Sequence, residues 1–381
     1  MDTFGIPTHN VQFTNISRFL EFWHFSVGDP EALHGDVSRK IGSKSDQWFG
    51  ATVVALNTDD DSQSAVVNIQ QFSPCKVKHR LGYHRLGYCM AGFSAAIGKD
   101  NNIFLGEPGA YYWGGAVSTK STNFAKPATH TQNGSKEYDD QFMGYSSAVG
   151  DFNGDNIDDV AVGVPRGNFL MGKVVLYNDR LENLVNLTGD QMGSYFGASI
   201  AVADLNGDKL HDIIVGAPLF INMETGSAGV QSTYEIGRVY VYFQSPTHTF
   251  DKPVTINGHR EWGRFGYDVA AAGDLNQDGY NGRCSKSYSI LQYNARAKNY
   301  MFLTDFVVGA PLDGLDRKSG AVYIYNGAKN GIREKYSQVI YGQSIQTGIE
   351  TFGFSVSGGR DVDNNGYPGT YAGNADNSAP I

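Results

Sequence analysis

A repeated pattern of strands and acidic loops restricts the fold of this chain more than any other feature. Each copy reads as an alternating strand, a turn or acidic loop, an apolar strand ending in Gly-Ala-Pro, and a further strand. The clearest copies read FMGYSSAVGDFNGDNIDDVAVGVP and YFGASIAVADLNGDKLHDIIVGAP. Copies with the acidic loop span 142–165, 195–218, 264–311 and 351–373, and weaker copies without it span 48–56 and 92–117. No stretch of useful length has helical periodicity.

This repeat predicts an all-β fold. Glycine accounts for 47 of 381 residues and aromatic residues for 13%, as expected for many short strands joined by Gly-rich turns. Units of three or four antiparallel strands that recur along a chain are typical of the blades of a β-propeller, which protects strand edges by radial repetition. The alternative is a β-sandwich whose parts are similar by accident.

Two of the acidic loops have the composition of complete calcium sites. Their first, third, fifth and ninth positions carry side-chain oxygens, and the seventh offers a backbone carbonyl, which suits the six to eight hard oxygen ligands of Ca²⁺. An EF-hand is excluded because its twelfth position would be Val162 or Val215 rather than Glu. The alternative is that these residues only form turns. The predicted ligands are Asp151, Asn153, Asp155, Ile157 and Asp159, and Asp204, Asn206, Asp208, Leu210 and Asp212.

Two further loops are incomplete. The third contains Asp274, Asn276, Asp278 and Tyr280, and the fourth contains Asp361, Asp363, Asn365 and Tyr367. In the fourth loop, Gly369 stands where the ninth ligand belongs. The ninth ligand of the third loop, Asp305, follows only after residues 282–304. We therefore predict structural calcium in two complete and two defective loops.

The spacing of the repeat marks residues 282–304 as an insertion. The aromatic residues of the Phe-Gly motif lie at 142, 196, 265 and 352, giving steps of 54, 69 and 87 residues. Removing the 23 residues shortens the last step to 87 − 23 = 64 and makes Asp305 the ninth loop position. Either the segment is translated non-coding sequence, retained in frame, or it is a real insertion at a hairpin tip, where length is tolerated.

Charge and motifs exclude several functional classes. A net charge of −9 argues against nucleic-acid binding, which usually requires a basic face. The nine histidines form no zinc spacing, and we find no nucleophile–base pair, so we predict no catalytic residues and no enzyme. No apolar run reaches the roughly 20 residues of a membrane helix, and the first residues lack a signal-peptide pattern.

Cysteines and sequons favour an extracellular chain. Cys75 and Cys89 could form a disulfide or remain two free thiols. Glycosylation sequons begin at Asn15, Asn133 and Asn186 and favour the disulfide and a secreted chain. An extracellular chain without a signal or an anchor suggests a fragment.

Together, Phe-Gly, D-x-N-x-D-x-x-x-D and Gly-Ala-Pro resemble the FG-GAP repeat of integrin alpha subunits. The stretches KSDQWFGA, GEPGAYYWGG, YDDQFMGYSSAVGDFNGD, NLTGDQMGSYFGAS and GAPLF are similar to the class without an inserted ligand-binding domain. The resemblance implies a propeller of the seven-bladed type over 42–381, with blade one largely missing and blade seven truncated. Residues 1–41 would be an atypical remnant of blade one or disordered. It also implies a cell-surface location, outside the plasma membrane.

The resemblance further implies partners and their contact residues. A beta subunit would pack on aromatic positions matched by Trp48, Phe93 and Phe265, and Tyr112 matches an aromatic of the ligand pocket. Related pockets hold an Arg-Gly-Asp ligand with acidic residues, but the loop between the two cysteines has none, and Glu224 is displaced from the expected position.

We therefore predict the head of an integrin alpha subunit that binds calcium, pairs with a beta subunit and engages extracellular-matrix ligands. The alternatives are a secreted calcium-dependent hydrolase with accessory FG-GAP blades, and a soluble calcium-stabilised binding module without a beta partner.

Overall fold

The computed structural model describes a subset of the chain, from which all structural statements below are drawn. The described residues are 19–21, 55–57, 74–76, 83–86, 88–99, 102–121, 128–131, 135–226, 229–276, 303–314, 316–329, 331–360 and 368–374. The chain divides into two compact units. The first comprises Met1–Ala198 and Asn377–Ile381, and the second comprises Ser199–Asp376.

The first unit contains two antiparallel sheets of four strands in sequential order. One sheet contains β3 (Ala95–Ile97), β4 (Asn102–Glu107), β5 (Ala116–Ser121) and β6 (Thr129–His130). The other contains β7 (Ser147–Gly150), β8 (Asp159–Val164), β9 (Lys173–Tyr177) and β10 (Asn183–Thr188). A separate pair joins β1 (Phe19–Glu21) to β2 (Ala55–Asn57). The 3₁₀ turns are Pro74–Lys76 and Lys136–Tyr138.

The second unit repeats the same sheet twice. One sheet contains β11 (Ser199–Ala203), β12 (Asp212–Ala217), β15 (Arg238–Tyr242) and β16 (Val254–Asn257), and the other contains β17 (Asp268–Gly273), β18 (Asp305–Ala310), β19 (Ala321–Tyr325) and β22 (Gln338–Tyr341). Hairpins β13 (Asn222–Gly226) with β14 (Gly229–Thr233) and β20 (Gly327–Ala328) with β21 (Gly331–Ile332) extend from these sheets. Strands β23 (Ser355–Arg360) and β24 (Gly369–Gly373) pair with each other, and a one-turn helix spans Gly342–Ile345.

Consecutive four-stranded meanders of this kind are the form of propeller blades. The predicted all-β fold with blade-like repeats is therefore confirmed. The predicted domain boundary after residue 41 and most of residues 282–304 lie outside the described residues. Among those described, no helix is long and apolar enough to cross a membrane.

The glycines of the repeated motif allow two successive repeats to pack closely. A Cβ on Gly163, the glycine before the motif's proline, would meet the carbonyl oxygen of Gly197, the Phe-Gly glycine of the next repeat. Gly197 itself has φ 91°, a conformation that favours glycine. The hydroxyl of Ser146 donates a hydrogen bond to the same carbonyl oxygen at 2.8 Å. The motif thus brings the backbones of two repeats into direct contact.

The same contact recurs in both units. Gly106 meets Gly144, Gly216 meets Gly266, and Gly309 meets Gly353. Ser94 and Ser199 donate to the carbonyls of Gly144 and Gly266 at 2.9 and 3.1 Å. The apolar strands β8, β12 and β18 are buried over their whole length, because each lies between two neighbours in its own sheet.

Candidate metal centres and partner surfaces

The two complete acidic loops connect the first two strands of their sheets. The pairing of Gly150 with Asp159 and of Ala203 with Asp212 closes each hairpin at its base. Phe152 and Leu205, at the second loop positions, are buried and anchor the loops to the core. The ninth residue begins the buried strand, so its carboxylate is held within the protein.

Within each loop the side-chain oxygens accept hydrogen bonds from the loop's own backbone. In the first loop, Asp151 accepts from the amides of Gly154 and Asn156 at 2.6 and 2.8 Å. In the second, Asp204 accepts from Gly207 and Lys209 at 2.7 and 2.8 Å.

The inner positions of the two loops form equivalent hydrogen bonds as well. The third residue accepts from the fifth amide and the fifth from the seventh amide, at 2.8 to 3.0 Å in both loops. The ninth carboxylate accepts from the second amide at 2.9 Å in each. These bonds hold each loop back on its own backbone, with Ile157 and Leu210 at the seventh positions.

The charges in the loops fit a cation. Burial, together with the nearby carboxylates of Asp155 and Asp151, raises the pKa of Asp159 to about 7. Among the described residues, the buried Oδ1 atom of Asp159 has no hydrogen-bond partner. Burial likewise raises the pKa of Asp212 to about 7, with Asp208 and Asp204 adding to the rise. Several carboxylates gathered on oxygen-rich loops fit Ca²⁺, which would supply the missing positive charge.

Asp305 occupies the ninth position of the third loop despite the intervening residues. It pairs with Gly273 in the strand register, as Asp212 pairs with Ala203. Its Oδ2 accepts from the amide of Leu275 at 3.0 Å, and its Oδ1 accepts from the amide of Gly327 at 3.1 Å. Asp212 makes the equivalent two bonds at 2.9 and 3.0 Å.

The remaining proposed ligands are only partly placed. Asp274 and Asn276 of the third loop precede Asp305 in the described chain. Asp278 and Tyr280 lie outside the described residues, as do Asp361, Asp363, Asn365 and Tyr367 of the fourth loop.

Residues outside the loops also form bonds to loop residues, and the sequence did not predict these bonds. The Nζ atom of Lys99 lies 3.2 Å from Asp158, and the Lys99 amide donates to the same carboxylate at 2.6 Å. Gln244 donates its amide to Asp212 and accepts from the amide of His211 at 2.9 Å. No spacing rule relates these residues, because each contact joins different strands.

Aromatic residues that flank the Phe-Gly motifs form a second feature. In the first unit, Phe93 contacts Tyr145 at 5.0 Å between ring centroids, and Tyr145 contacts Tyr195 at 5.4 Å in an edge-to-face arrangement. In the second unit, the ring centroids of Tyr267 and Phe354 are 4.8 Å apart. The Phe93 ring is half-buried, so part of it remains accessible.

Phe265 was predicted at a partner surface, and the structure corrects this. It is fully buried and packs edge-to-face on Tyr323 at 5.4 Å, inside the core of its own sheet. The reason is its register: Phe265 precedes Gly266, whereas Phe93 follows Gly92, so Tyr267 is the equivalent of Phe93. Trp48 lies outside the described residues.

The predicted pocket aromatic lies beside the cysteine loop. Cys75 and Cys89 form a disulfide with a Cα separation of 6.4 Å. Tyr112 is 45% exposed and held by its amide on the carbonyl oxygen of Tyr83 at 2.7 Å. Its ring stacks on that of Tyr83 at 6.3 Å. The loop therefore forms one wall of an exposed aromatic surface.

Sequence analysis missed the acidic side of this surface. The amide of Asp140 donates to the carbonyl oxygen of Tyr112 at 3.0 Å, which brings Asp140 and the adjacent Asp139 near Tyr112. Asp140 is exposed and Asp139 half-buried. Glu224 lies on strand β13 of the second unit.

Of the sequons, Asn186 lies exposed on strand β10, whereas Asn15 and Asn133 fall outside the described residues.

Comparisons with known proteins agree with this architecture. A family model described as the FG-GAP repeat matches residues 143–177 and 196–242. Integrin alpha pat-2 of Caenorhabditis elegans is 40% identical over 381 aligned residues, which cover 90% of this chain and 29% of that protein. Integrin alpha-5 of Xenopus laevis is 36% identical, with 88% and 34% covered. Integrin alpha-PS2 of Drosophila melanogaster is 34% identical, with 86% and 26% covered.

The chain thus spans about a third or less of the length of these relatives. A solved structure, the Dos1 propeller, is 13% identical with a TM-score of 0.35, over 71% of this chain and 62% of that one. This likeness adds nothing to the fold assignment.

Proposed function

We propose that this chain, which is 34–40% identical to integrin alpha subunits over most of its length, is part of the extracellular head of an adhesion receptor. In this proposal it binds structural calcium, pairs with a beta subunit and engages an extracellular-matrix ligand. The relatives are integrin alpha subunits, so the prediction that the chain is not an enzyme is confirmed and the hydrolase alternative is removed. The observation that carries the proposal is the pair of matched acidic loops within FG-GAP repeats.

Calcium binding is tested by titration calorimetry of the purified chain. We expect two strong sites, and Asp151→Ala and Asp204→Ala should each remove one, because each variant deletes the first ligand of one loop. Asp251→Ala is a matched control, since Asp251 is exposed and outside the loops. Unchanged stoichiometry in both loop variants would refute the assignment.

Beta-subunit pairing rests on the accessible aromatic row of the first unit. Tyr145 joins Phe93 and Tyr195 in this row, and aromatic residues dominate many protein interfaces. We expect a co-expressed beta subunit to co-purify with the chain, and Tyr145→Ala to weaken this at least tenfold. Tyr371→Ala is the control, since Tyr371 is an exposed tyrosine of the second unit. Failure to recover any beta subunit with calcium present would favour the binding module without a beta partner.

Ligand recognition is proposed at the exposed surface around Tyr112. Asp139 and Asp140 offer the acidic groups that the cysteine loop lacks, and a carboxylate can pair with a ligand arginine through two hydrogen bonds. On the side formed by the cysteine loop, the exposed basic side chains of His84 and Arg85 disfavour binding of a ligand arginine. Binding of an Arg-Gly-Asp peptide to the heterodimer should therefore depend on Asp139. An Asp139→Asn variant that binds this peptide as well as the native chain would count against the proposed site.

A further inference from the structure

A lysine from the neighbouring repeat lies against the first complete acidic loop. In the repeat that lacks such a loop, only residues 98–101 connect strands β3 and β4. The Nζ atom of Lys99 lies 3.2 Å from the Oδ1 atom of Asp158, the eighth residue of the first loop. The Lys99 amide donates to the Oδ2 atom of the same carboxylate at 2.6 Å. One residue of the neighbouring repeat therefore contacts both oxygens of this carboxylate.

The contact between Lys99 and Asp158 is closely packed. A Cβ added to Gly98 would lie 2.9 Å from the Cβ of Asp158, so a side chain there would displace the carboxylate. The side chain of Asp158 is 10% exposed, whereas that of Lys99 is 53% exposed. Asp158 directly precedes the ninth ligand, Asp159, and is not itself a predicted ligand. The pair therefore lies beside the proposed calcium site without taking part in coordination.

The two complete loops differ in charge. The first loop, residues 151–159, contains four carboxylates and no basic residue. The second loop, residues 204–212, contains three carboxylates together with Lys209 and His211. Carboxylates gathered in one loop repel each other, and a nearby positive charge offsets this repulsion. The neighbouring repeat thus gives the first loop a lysine that the second loop carries in its own sequence.

We propose that Lys99 is a counter-ion that stabilises the calcium-free form of the first loop and thereby lowers its calcium affinity. The inference rests on the calcium binding in the proposed function. In the calcium-free loop, the Lys99 ammonium attracts the carboxylates. In the calcium-bound loop the same carboxylates are already neutralised, so Lys99 stabilises that form less. Removing the lysine charge should therefore favour the bound form.

Calorimetry of the full chain carrying Asp204→Ala measures the first loop, because that background lacks the site of the second loop. We expect Lys99→Met to bind calcium about fivefold more tightly, since one unit charge near a divalent ion is worth roughly this factor even at the dielectric constant of water. Methionine keeps most of the side-chain length and the backbone bond to Asp158. Lys99→Arg keeps the charge and should bind calcium within about twofold of the chain with Lys99.

A second pair of variants tests the carboxylate partner. Asp158→Asn leaves the Lys99 charge uncompensated and should weaken calcium binding about fivefold. Combining Lys99→Met with Asp158→Asn should return the affinity to within about twofold of the chain with both residues intact. Lys136→Met is the matched control, because Lys136 is an exposed lysine of the first unit on the turn Lys136–Tyr138, outside the acidic loop. This control should leave the affinity unchanged.

Hydrogen exchange of the calcium-free chain tests the stabilisation directly. With calcium removed by a chelator, peptides covering 151–159 should exchange their amide hydrogens at least threefold faster in Lys99→Met than in the native chain. Lys99→Arg should exchange at the native rate. Peptides covering 204–212 are the internal control and should exchange equally in all three proteins.

Each contrary result overturns a defined step. Unchanged affinity in Lys99→Met would remove the effect of the charge, and equal changes in Lys99→Met and Lys99→Arg would assign the effect to side-chain packing. A double variant that binds as tightly as Lys99→Met alone would show that the Asp158 charge does not act on the site. If the native chain bound no calcium, the proposed function and the effect on affinity would both fail. Equal exchange of peptides 151–159 in Lys99→Met and the native chain would overturn the stabilisation of the calcium-free loop whether or not calcium binds.

Discussion

At the scale of single residues, each of the two complete acidic loops turns through positive φ at its fourth and sixth positions. The fourth is glycine in both loops, Gly154 and Gly207, at φ 82° and 77°. The sixth is Asn156 in one loop and Lys209 in the other, at 64° and 71°. Asparagine tolerates this region, whereas lysine does so at a cost of about 1–2 kcal/mol.

Lys209→Gly should therefore stabilise the chain. Glycine removes the steric cost but loses roughly 0.5–1 kcal/mol through its more flexible unfolded chain, so we expect a net gain of about 0.5–1 kcal/mol. The Lys209 amide, which donates to Asp204, is retained. Urea unfolding at saturating calcium measures the change. Asn156→Gly is the matched control and should change stability by less than about 0.5 kcal/mol. An equal gain in both variants would show that side-chain strain is not the cause.

At the scale of elements, the contact between glycines of successive repeats sets a strong packing constraint. Gly163→Ala would place a methyl group against the backbone carbonyl of Gly197, and neither backbone can move without shifting its strand. We expect a loss of about 3 kcal/mol, the upper range for overpacking, measured by urea unfolding. Gly193→Ala is the control, because nothing lies within 4 Å of its added Cβ and only its φ of 78° opposes alanine. A loss no larger for Gly163→Ala than for Gly193→Ala would contradict the packing role.

A second prediction concerns the contact between strands β17 and β23. Asp268 accepts from the amide of Val356 at 2.8 Å, and burial raises its pKa to about 6. The folded state therefore holds this proton more tightly than the unfolded chain, whose Asp pKa is near 3.9. Stability from this group is complete below pH 4 and is lost as pH rises through 6.

Asp268→Asn removes the titration while keeping an acceptor for the Val356 amide. The stability of the native chain relative to this variant should fall by about 2–3 kcal/mol between pH 4 and pH 7, measured as urea midpoints at each pH. The comparison with the variant cancels the titration of all other groups. A relative stability that rises with pH would reverse the sign and refute the assignment.

The sequence predicted the local features of these elements but not every contact between them. Alternation and turn chemistry predicted the strands and placed the acidic loops between them, since both are local properties. Phe265 was misplaced because it precedes its glycine, whereas Phe93 follows its glycine, a difference in register that the sequence itself shows. Asp139 was missed because its approach to Tyr112 depends on a backbone bond between different repeats. Local patterns do not encode such contacts.

At the scale of the whole molecule, residues 282–304 interrupt a repeat whose two ends still meet. Asp274 and Asn276 precede the interruption, and Asp305 after it makes the same two backbone bonds as Asp212 in an uninterrupted loop. Strand pairing and these two backbone bonds therefore position the ninth ligand, whatever the length of the loop. We therefore infer that the interruption raises the entropic cost of closing the loop, while strand pairing fixes Asp305.

Deleting residues 282–304 should therefore create a third strong calcium site. The connection between Asp274 and Asp305 shortens about fourfold, which lowers its closure cost by about 1 kcal/mol and places the fifth, seventh and ninth ligands at the spacing of the complete loops. Calorimetry of the deletion variant should show one site more than the native chain, and Asp305→Asn in that variant should abolish it. Calcium should also raise the urea midpoint of the deletion variant more, since each additional bound ion favours the folded state. The same number of sites with and without the segment would mean that residues 282–304 belong to the working protein and that this loop serves another purpose.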